Sequence, residues 1–154
     1  MNMRSQGFSK FKKTIANFKN AKVLVIGDLI LDEFIWGDVS RISPEAPVPV
    51  VWVRNESFMP GGASNVANNL RALGAATCLS GVIGDDERGA ILKGKLSARG
   101  VDVKGVFVDE TRPTTLKTLV VAHHQQVVRI DKEKTDHLSG KVISKIIDYA
   151  ESMM

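Results

Sequence analysis

Cysteine is almost absent from this 154-residue sequence, which holds Cys78 alone. One thiol excludes an internal disulfide framework and a zinc site built from several cysteines. Long apolar runs are also missing, and none approaches the roughly 18–20 residues of a membrane span. The N-terminus carries no apolar stretch followed by a small-residue cleavage site, so a cytoplasmic location is expected. Aromatic residues make up only 6% of the chain, against 44% hydrophobic and 25% charged residues. That balance belongs to an ordinary globular domain.

The pI of about 9.3 points to a nucleic-acid binder until the charge is divided along the chain. Of 21 basic residues, five (Arg4, Lys10, Lys12, Lys13 and Lys19) fall in residues 1–20, where there is no acid. The remainder holds 16 basic against 17 acidic residues, a net of −1. A nearly neutral domain without an aromatic-studded basic face argues against nucleic acid as a partner.

Within the 1–20 leader, Phe8, Phe11, Ile15 and Phe18 recur at helical spacing between lysines. Such a stripe can lie on a membrane surface or dock on the domain that follows. Docking is the reading adopted, with no membrane partner. From residue 21 onward the sequence alternates strand and helix. Lys22–Ile26 is a continuous apolar run, expected as a buried strand of a parallel sheet. Val48 to Val53 is β-rich but carries Pro49, which removes a ladder donor and places the segment at an edge or in a small peripheral sheet.

After the turn signal Met59-Pro60-Gly61-Gly62, the segment Asn65 to Leu73 has helical periodicity and Gly74 is placed to end it. Strands are expected at Thr77–Ile83, Gly105–Val108, Thr115–Ala122 and Gln126–Ile130. A helix follows Asp86 and ends near Gly100. A last helix is capped by Ser139, with Val142, Ile143, Ile146, Ile147 and Ala150 turned inward. The alternation implies an α/β layered fold with a small β excursion.

Several motifs weaken under scrutiny. Gly89 to Lys95 nearly spells a phosphate-binding loop, but Leu96 replaces the hydroxyl and the segment lies within a helix. His123 and His124 are adjacent, a spacing that sends two strand side chains to opposite faces. Asn55-Glu56-Ser57 fits a glycosylation acceptor that a cytoplasmic chain would never use. Gly61-Gly62-Ala63-Ser64-Asn65 is more informative. Two glycines let backbone approach a ligand, and a helix start offers unpaired N–H groups. The competing reading is a tight turn with Asn65 as helix cap. Asp28 and Asp32 follow the first strand, where parallel sheets bind ligands; the competing reading is turn-forming aspartates.

Together, Gly27-Asp28-Leu-Ile-Leu-Asp32, PGGASNVANNLRALGA from Pro60 to Ala75, Gly81-Val-Ile-Gly84-Asp85-Asp86 and the Gly89…Leu96-x-x-x-Gly100 helix resemble the ribokinase-like (PfkB) family of sugar kinases. Arg41-Ile-Ser-Pro-Glu-Ala-Pro-Val-Pro-Val50 and His124-Gln-Gln-Val-Val-Arg129-Ile-Asp131 are similar to segments of bacterial D-glycero-β-D-manno-heptose-7-phosphate kinases, whose kinase domain is often fused to an adenylyltransferase. The resemblance implies a three-layer αβα sandwich with a small β lid around residues 41–58, truncated after its N-terminal half.

It further implies phosphorylation of the anomeric hydroxyl of heptose 7-phosphate with Mg2+ and ATP, on the route to ADP-heptose and lipopolysaccharide. Asp32 would hold sugar hydroxyls from the end of the first strand, with Gly61, Gly62 and Asn65 contacting sugar at the helix start. Arg129 would grip the 7-phosphate, and Asp28 would lie beside or against the sugar. Family members carry their catalytic base in a GAGD-like loop, and no such motif occurs in this sequence. The chain is therefore expected to hold no catalytic residue or metal ligand and to bind Mg2+ and ATP poorly by itself. A truncated reading frame, a fragment or one piece of a split kinase all fit. A homodimer through the lid, or a complementary kinase half, is the expected protein partner. The alternatives are a kinase for another sugar phosphate and a non-catalytic module that binds sugar phosphate or dimerises.

Overall fold

The computed structural model describes residues 3–123 and 125–154. Met1, Asn2 and His124, part of the leader and of the QQ-containing strand motif respectively, lie outside the described residues.

Helix α1 (Met3–Ala16) and a 3-10 turn at Phe18–Asn20 lead into strand β1 (Lys22–Ile26). Next come the long strands β2 (Leu29–Ile42) and β3 (Pro49–Gly61), helix α2 (Gly62–Ala72) and strand β4 (Ala76–Ile83). Helix α3 (Glu87–Ala98), strands β5 (Asp102–Val108), β6 (Thr115–Ala122) and β7 (Gln125–Lys132), and helix α4 (Gly140–Ser152) complete the order.

The strands form two sheets. A parallel sheet runs β1-β4-β5, and a four-stranded mixed sheet runs β3-β2-β6-β7. In the mixed sheet β2 pairs antiparallel with β3 and parallel with β6, and β6 pairs antiparallel with β7. Leu79, Ile83 and Val106 of the parallel sheet join Leu92 and Leu96 of α3, Ala67 of α2, and Leu29 and Leu31 of β2 in one core. Gly105, the neighbour of Val106, instead lies against the Tyr149 ring of α4. Successive residues of a strand face opposite ways, so α4 covers the other face and three layers result. Close approach there excludes a Cβ at Gly105, and the Phe107 ring meets Tyr149 edge-on at 6.3 Å. Burial pushes the Tyr149 hydroxyl up to about 12, with the charges of Asp102 and Cys78 adding to the effect.

Local signals set the element ends. Gly74 and Gly100 adopt positive φ just past α2 and α3, where the left-handed conformation lets the chain leave a helix. Asp86 caps α3 by accepting from Gly89 N–H at 2.8 Å, and Ser139 caps α4. The Gly89–Lys95 near-match sits inside α3 and forms no phosphate loop. Pro49 begins β3, which is an edge strand as its proline requires.

Four expectations are corrected. The β excursion is not confined to 41–58: its hairpin spans 29–61 and shares a sheet with β6 and β7. β1 is an edge strand with Ile26 half exposed, not a strand buried on both faces. Ile143 and Ile147 of α4 are exposed at 42% and 49%, because only Val142 of that helix is fully covered. The leader helix leaves Phe8, Phe11 and Ile15 open to solvent and does not bury its stripe on the domain. The competing reading of Asn65 as helix cap also fails, since α2 starts at Gly62 with Gly61 in the cap position.

Candidate functional site

The site is built where β2 begins and β3 hands over to α2. Asp32 does not sit at the tip of β1. The chain breaks at Gly27-Asp28 and Asp32 lies within β2, paired with Met59 of β3 and Lys117 of β6. The same ladder sets Ile30 opposite Gly61, and a further bridge joins Leu29 to Gly62. The start of α2 is thus stitched to the strand that carries the carboxylate.

The contact between the two is close. A Cβ at Gly61 would stand 2.7 Å from Asp32 Cγ and 2.8 Å from its Oδ1. The Asp32 carboxylate therefore occupies the space a side chain at Gly61 would need. Gly62 has φ +53°, and a Cβ there would meet the Asp28 carbonyl oxygen at 2.6 Å. That carbonyl accepts from Ala63 N–H at 2.9 Å, so Asp28 contributes its backbone to the junction while its side chain is exposed. Ser64, fully buried in the first turn of α2, has a hydroxyl without a hydrogen-bond partner. Asn65, one residue on, is exposed.

Burial raises the Asp32 pKa from its ordinary value, and the nearby charge of Lys117 works against that rise. Lys117 Nζ reaches Asp131 Oδ2 at 3.2 Å and Glu133 Oε2 at 3.8 Å. On the other side Arg129 holds Asp131 with both Nε (3.0 Å) and a terminal nitrogen (3.1 Å). Asp131 is accordingly kept below its ordinary value: burial would raise it, and the hydrogen bonds and charges of Lys117 and Arg129 outweigh that. A cavity of about 610 Å3 opens beside this row, lined among others by Asp28, Gly81, Arg112, Lys117, Lys134 and His137.

Of the six residues expected from sequence, Asp32, Gly61 and Gly62 come together, with Asp28 joined through its carbonyl. Asn65 lies on the same helix turn, exposed to solvent. Of the six only Asp28 lines the cavity, and Arg129 is engaged by Asp131. Lys117 was missed because its place beside Asp32 arises from strands 85 positions apart in the chain, and no local pattern encodes that pairing. Among the described residues no three His, Cys, Asp or Glu side chains converge as a metal ion requires. Gly89–Lys95 is helical and forms no phosphate loop. No helix among them is long and apolar enough to cross a membrane.

The family profile described as pfkB family carbohydrate kinase matches residues 20–152. The chain belongs to that family. This pfkB chain is 46% identical over 140 residues to the bifunctional protein HldE of Desulfatibacillum aliphaticivorans, covering 91% of the chain and 29% of the relative. It is 52% identical over 128 residues to bifunctional protein HldE of Helicobacter pylori, covering 83% and 28% respectively. The chain thus spans less than a third of the length of these curated relatives. Among solved structures, a putative sugar kinase from Clostridium perfringens superposes with TM-score 0.64 at 20% identity, over 86% of this chain and 40% of that one. The Arabidopsis thaliana ribokinase complexed with ribose and ATP gives TM-score 0.61 at 16% identity, over 81% and 41%. These likenesses establish the ribokinase-like α/β fold.

Proposed function

We propose that this chain is the sugar-binding portion of a carbohydrate kinase that phosphorylates D-glycero-β-D-manno-heptose 7-phosphate at its anomeric hydroxyl. The observation that carries the reading is the Asp32 carboxylate seated against Gly61 at the start of α2. An ionised carboxylate accepts hydrogen bonds from vicinal hydroxyls, and a glycine-led helix start presents N–H donors beside it. Heptose as the sugar follows from the lid and QQ-strand sequences and from about 50% identity to HldE proteins.

Phosphoryl transfer rests on positioning and electrostatic stabilisation by a base and an anion hole. The GAGD-like loop that supplies both in the family is absent from the 154 residues. The chain alone therefore binds sugar without turnover, and Mg2+ and ATP belong to the larger assembly. The lid pairs with a second copy: Ile35, Val48, Val51, Val53, Val120 and Val128 line an apolar groove of about 480 Å3 on the mixed sheet. A cytoplasmic location follows from the substrate class. Isothermal titration of the purified chain with heptose 7-phosphate tests the reading, with Asp32→Ala as control. Saturable binding abolished by Asp32→Ala is expected, with no ADP release from Mg·ATP. Undiminished affinity in Asp32→Ala, or robust turnover by the chain, refutes it.

A further inference from the structure

Resting on that reading, we infer that Lys117, and not Arg129, is the cation that receives the phosphate of the sugar phosphate, and that Arg129 is a positioning residue behind it. A phosphate subsite needs a cation that faces the cavity, stands next to the hydroxyl-binding carboxylate and has donors to give. Arg112 lines the cavity, but its Nε is taken by Asp109 at 3.0 Å and a terminal nitrogen by the carbonyls of Asp136 and His137. Lys134 lines the cavity with the same number of partners as Lys117, Thr111 O at 3.1 Å and Asp136 at 3.7 Å, but it is no ladder neighbour of Asp32. Arg129 spends its fork on Asp131, is not among the residues lining the cavity and is no ladder neighbour of Asp32.

Lys117 meets all three conditions. It lines the cavity, and it is the direct cross-strand neighbour of Asp32. Such neighbours share a face on strands about 4.8 Å apart, a spacing that suits a hydroxyl and a phosphate on the same small sugar. Its ammonium has three donors, one close carboxylate at 3.2 Å and one loosely placed at 3.8 Å. Asp131 Oδ2 is shared between Lys117 and Arg129. One carboxylate charge is thus divided over two cations, and the Arg129 fork fixes where Asp131 holds the lysine.

The test is calorimetric titration of the chain with heptose 7-phosphate and, separately, with the parent heptose. Lys117→Met should weaken the phosphorylated sugar by about tenfold or more, the loss of one charge-assisted contact. The parent heptose should bind within about twofold of the unmodified chain. Lys117→Arg should restore most of the affinity, which also separates charge loss from misfolding. Arg129→Met should give a smaller loss confined to the phosphorylated sugar. Equal losses on both sugars in Lys117→Met would overturn the inference, since the lysine would then act only through Asp32. So would a silent Lys117→Met combined with a phosphate-specific loss in Arg129→Met. If the unmodified chain binds neither sugar, the functional reading itself fails and the inference falls with it, an outcome distinct from the other two.

Discussion

Replacing Gly61 by alanine isolates the contact on which the site depends. Gly61 has φ −115° and ψ 174°, extended backbone that alanine adopts freely. Backbone conformation alone would even favour the substitution by roughly 0.4–1 kcal/mol through the unfolded chain. Against that stands the new methyl, 2.7 Å from Asp32 Cγ and 2.8 Å from Oδ1, well inside the 3.5–4.0 Å of an unstrained contact. Either Asp32 leaves its rotamer, at about 0.5–1.5 kcal/mol, or the strands spread, at about 1–3 kcal/mol. A net destabilisation of about 1–2 kcal/mol is expected, a fall in Tm of roughly 2–8 °C for a chain of this size. The decisive assay is a double-mutant cycle with Asp32→Ala, read by urea denaturation. Removing the carboxylate makes room for the methyl, so Gly61→Ala should become neutral or stabilising in that background, a coupling of at least about 1 kcal/mol. Gly62→Ala is the contrast: its φ of +53° and the Asp28 carbonyl at 2.6 Å are untouched by Asp32, so its cost of about 2–4 kcal/mol should persist. If Gly61→Ala costs the same with and without Asp32, the carboxylate is not seated against Gly61 and the site geometry is wrong.

Asp86→Ala should destabilise by about 2–3 kcal/mol, because its carboxylate both caps α3 and accepts from Thr114 N–H at 2.9 Å. Burial works to raise its pKa, but hydrogen bonds from Thr114 and Gly89 and the charge of Lys132 leave it below the ordinary value. Its stabilisation is therefore present above the unfolded-state pKa of about 4 and is lost as pH falls through the lower folded one; stability-versus-pH curves of the two proteins should converge in acid. Asp32→Asn should do the reverse. A carboxyl whose folded pKa is raised by burial penalises the folded state once ionised, so the variant should melt higher than the unmodified chain at pH 7, with the gap closing as pH falls through the raised pKa, while sugar affinity drops. Thr118→Val should cost about 1–3 kcal/mol in urea denaturation, since it strips a 2.5 Å hydrogen bond from the buried Glu33 carboxylate.

The parts of this fold written in local sequence were readable. Ser139, Gly74 and Gly100 mark helix ends by their own conformational chemistry, and the apolar runs of β4 and β6 declare strands. β2 was not readable. Its core face presents Leu29, Leu31 and then Glu33, and a glutamate in a buried position breaks the alternation that identifies a strand. Glu33 is tolerated only because Thr118 and Arg88, remote in sequence, satisfy it. The site shows the same division. Asp32 and the Gly61-Gly62 pair could be named from their residue types, but their junction depends on the β2–β3 register and Lys117 on the β2–β6 register. Arg129 looked available because a sequence does not show that Asp131, two residues on, occupies its fork.

Glu33 also explains how the functional carboxylate is kept on its proper side. Asp32 and Glu33 are adjacent acids on one strand and so must face opposite ways. A slip of one residue would turn Asp32 to the core face and Glu33 to the opposite face. Hydrophobicity opposes the slip in either direction, because Asp28 would take the buried place of Leu29 or Asp32 that of Leu31. A polar term adds to it. Glu33 receives the Thr118 hydroxyl, and Arg88 of α3 stands 3.4 Å away with its guanidinium 4.8 Å above the Phe58 ring. Breaking a buried, hydrogen-bonded carboxylate away from its partners costs several kcal/mol, whereas Asp32 in the same place would fall one methylene short of them. Adjacent acids thus divide the labour: one is buried to fix the register, and the register delivers the other to the start of α2.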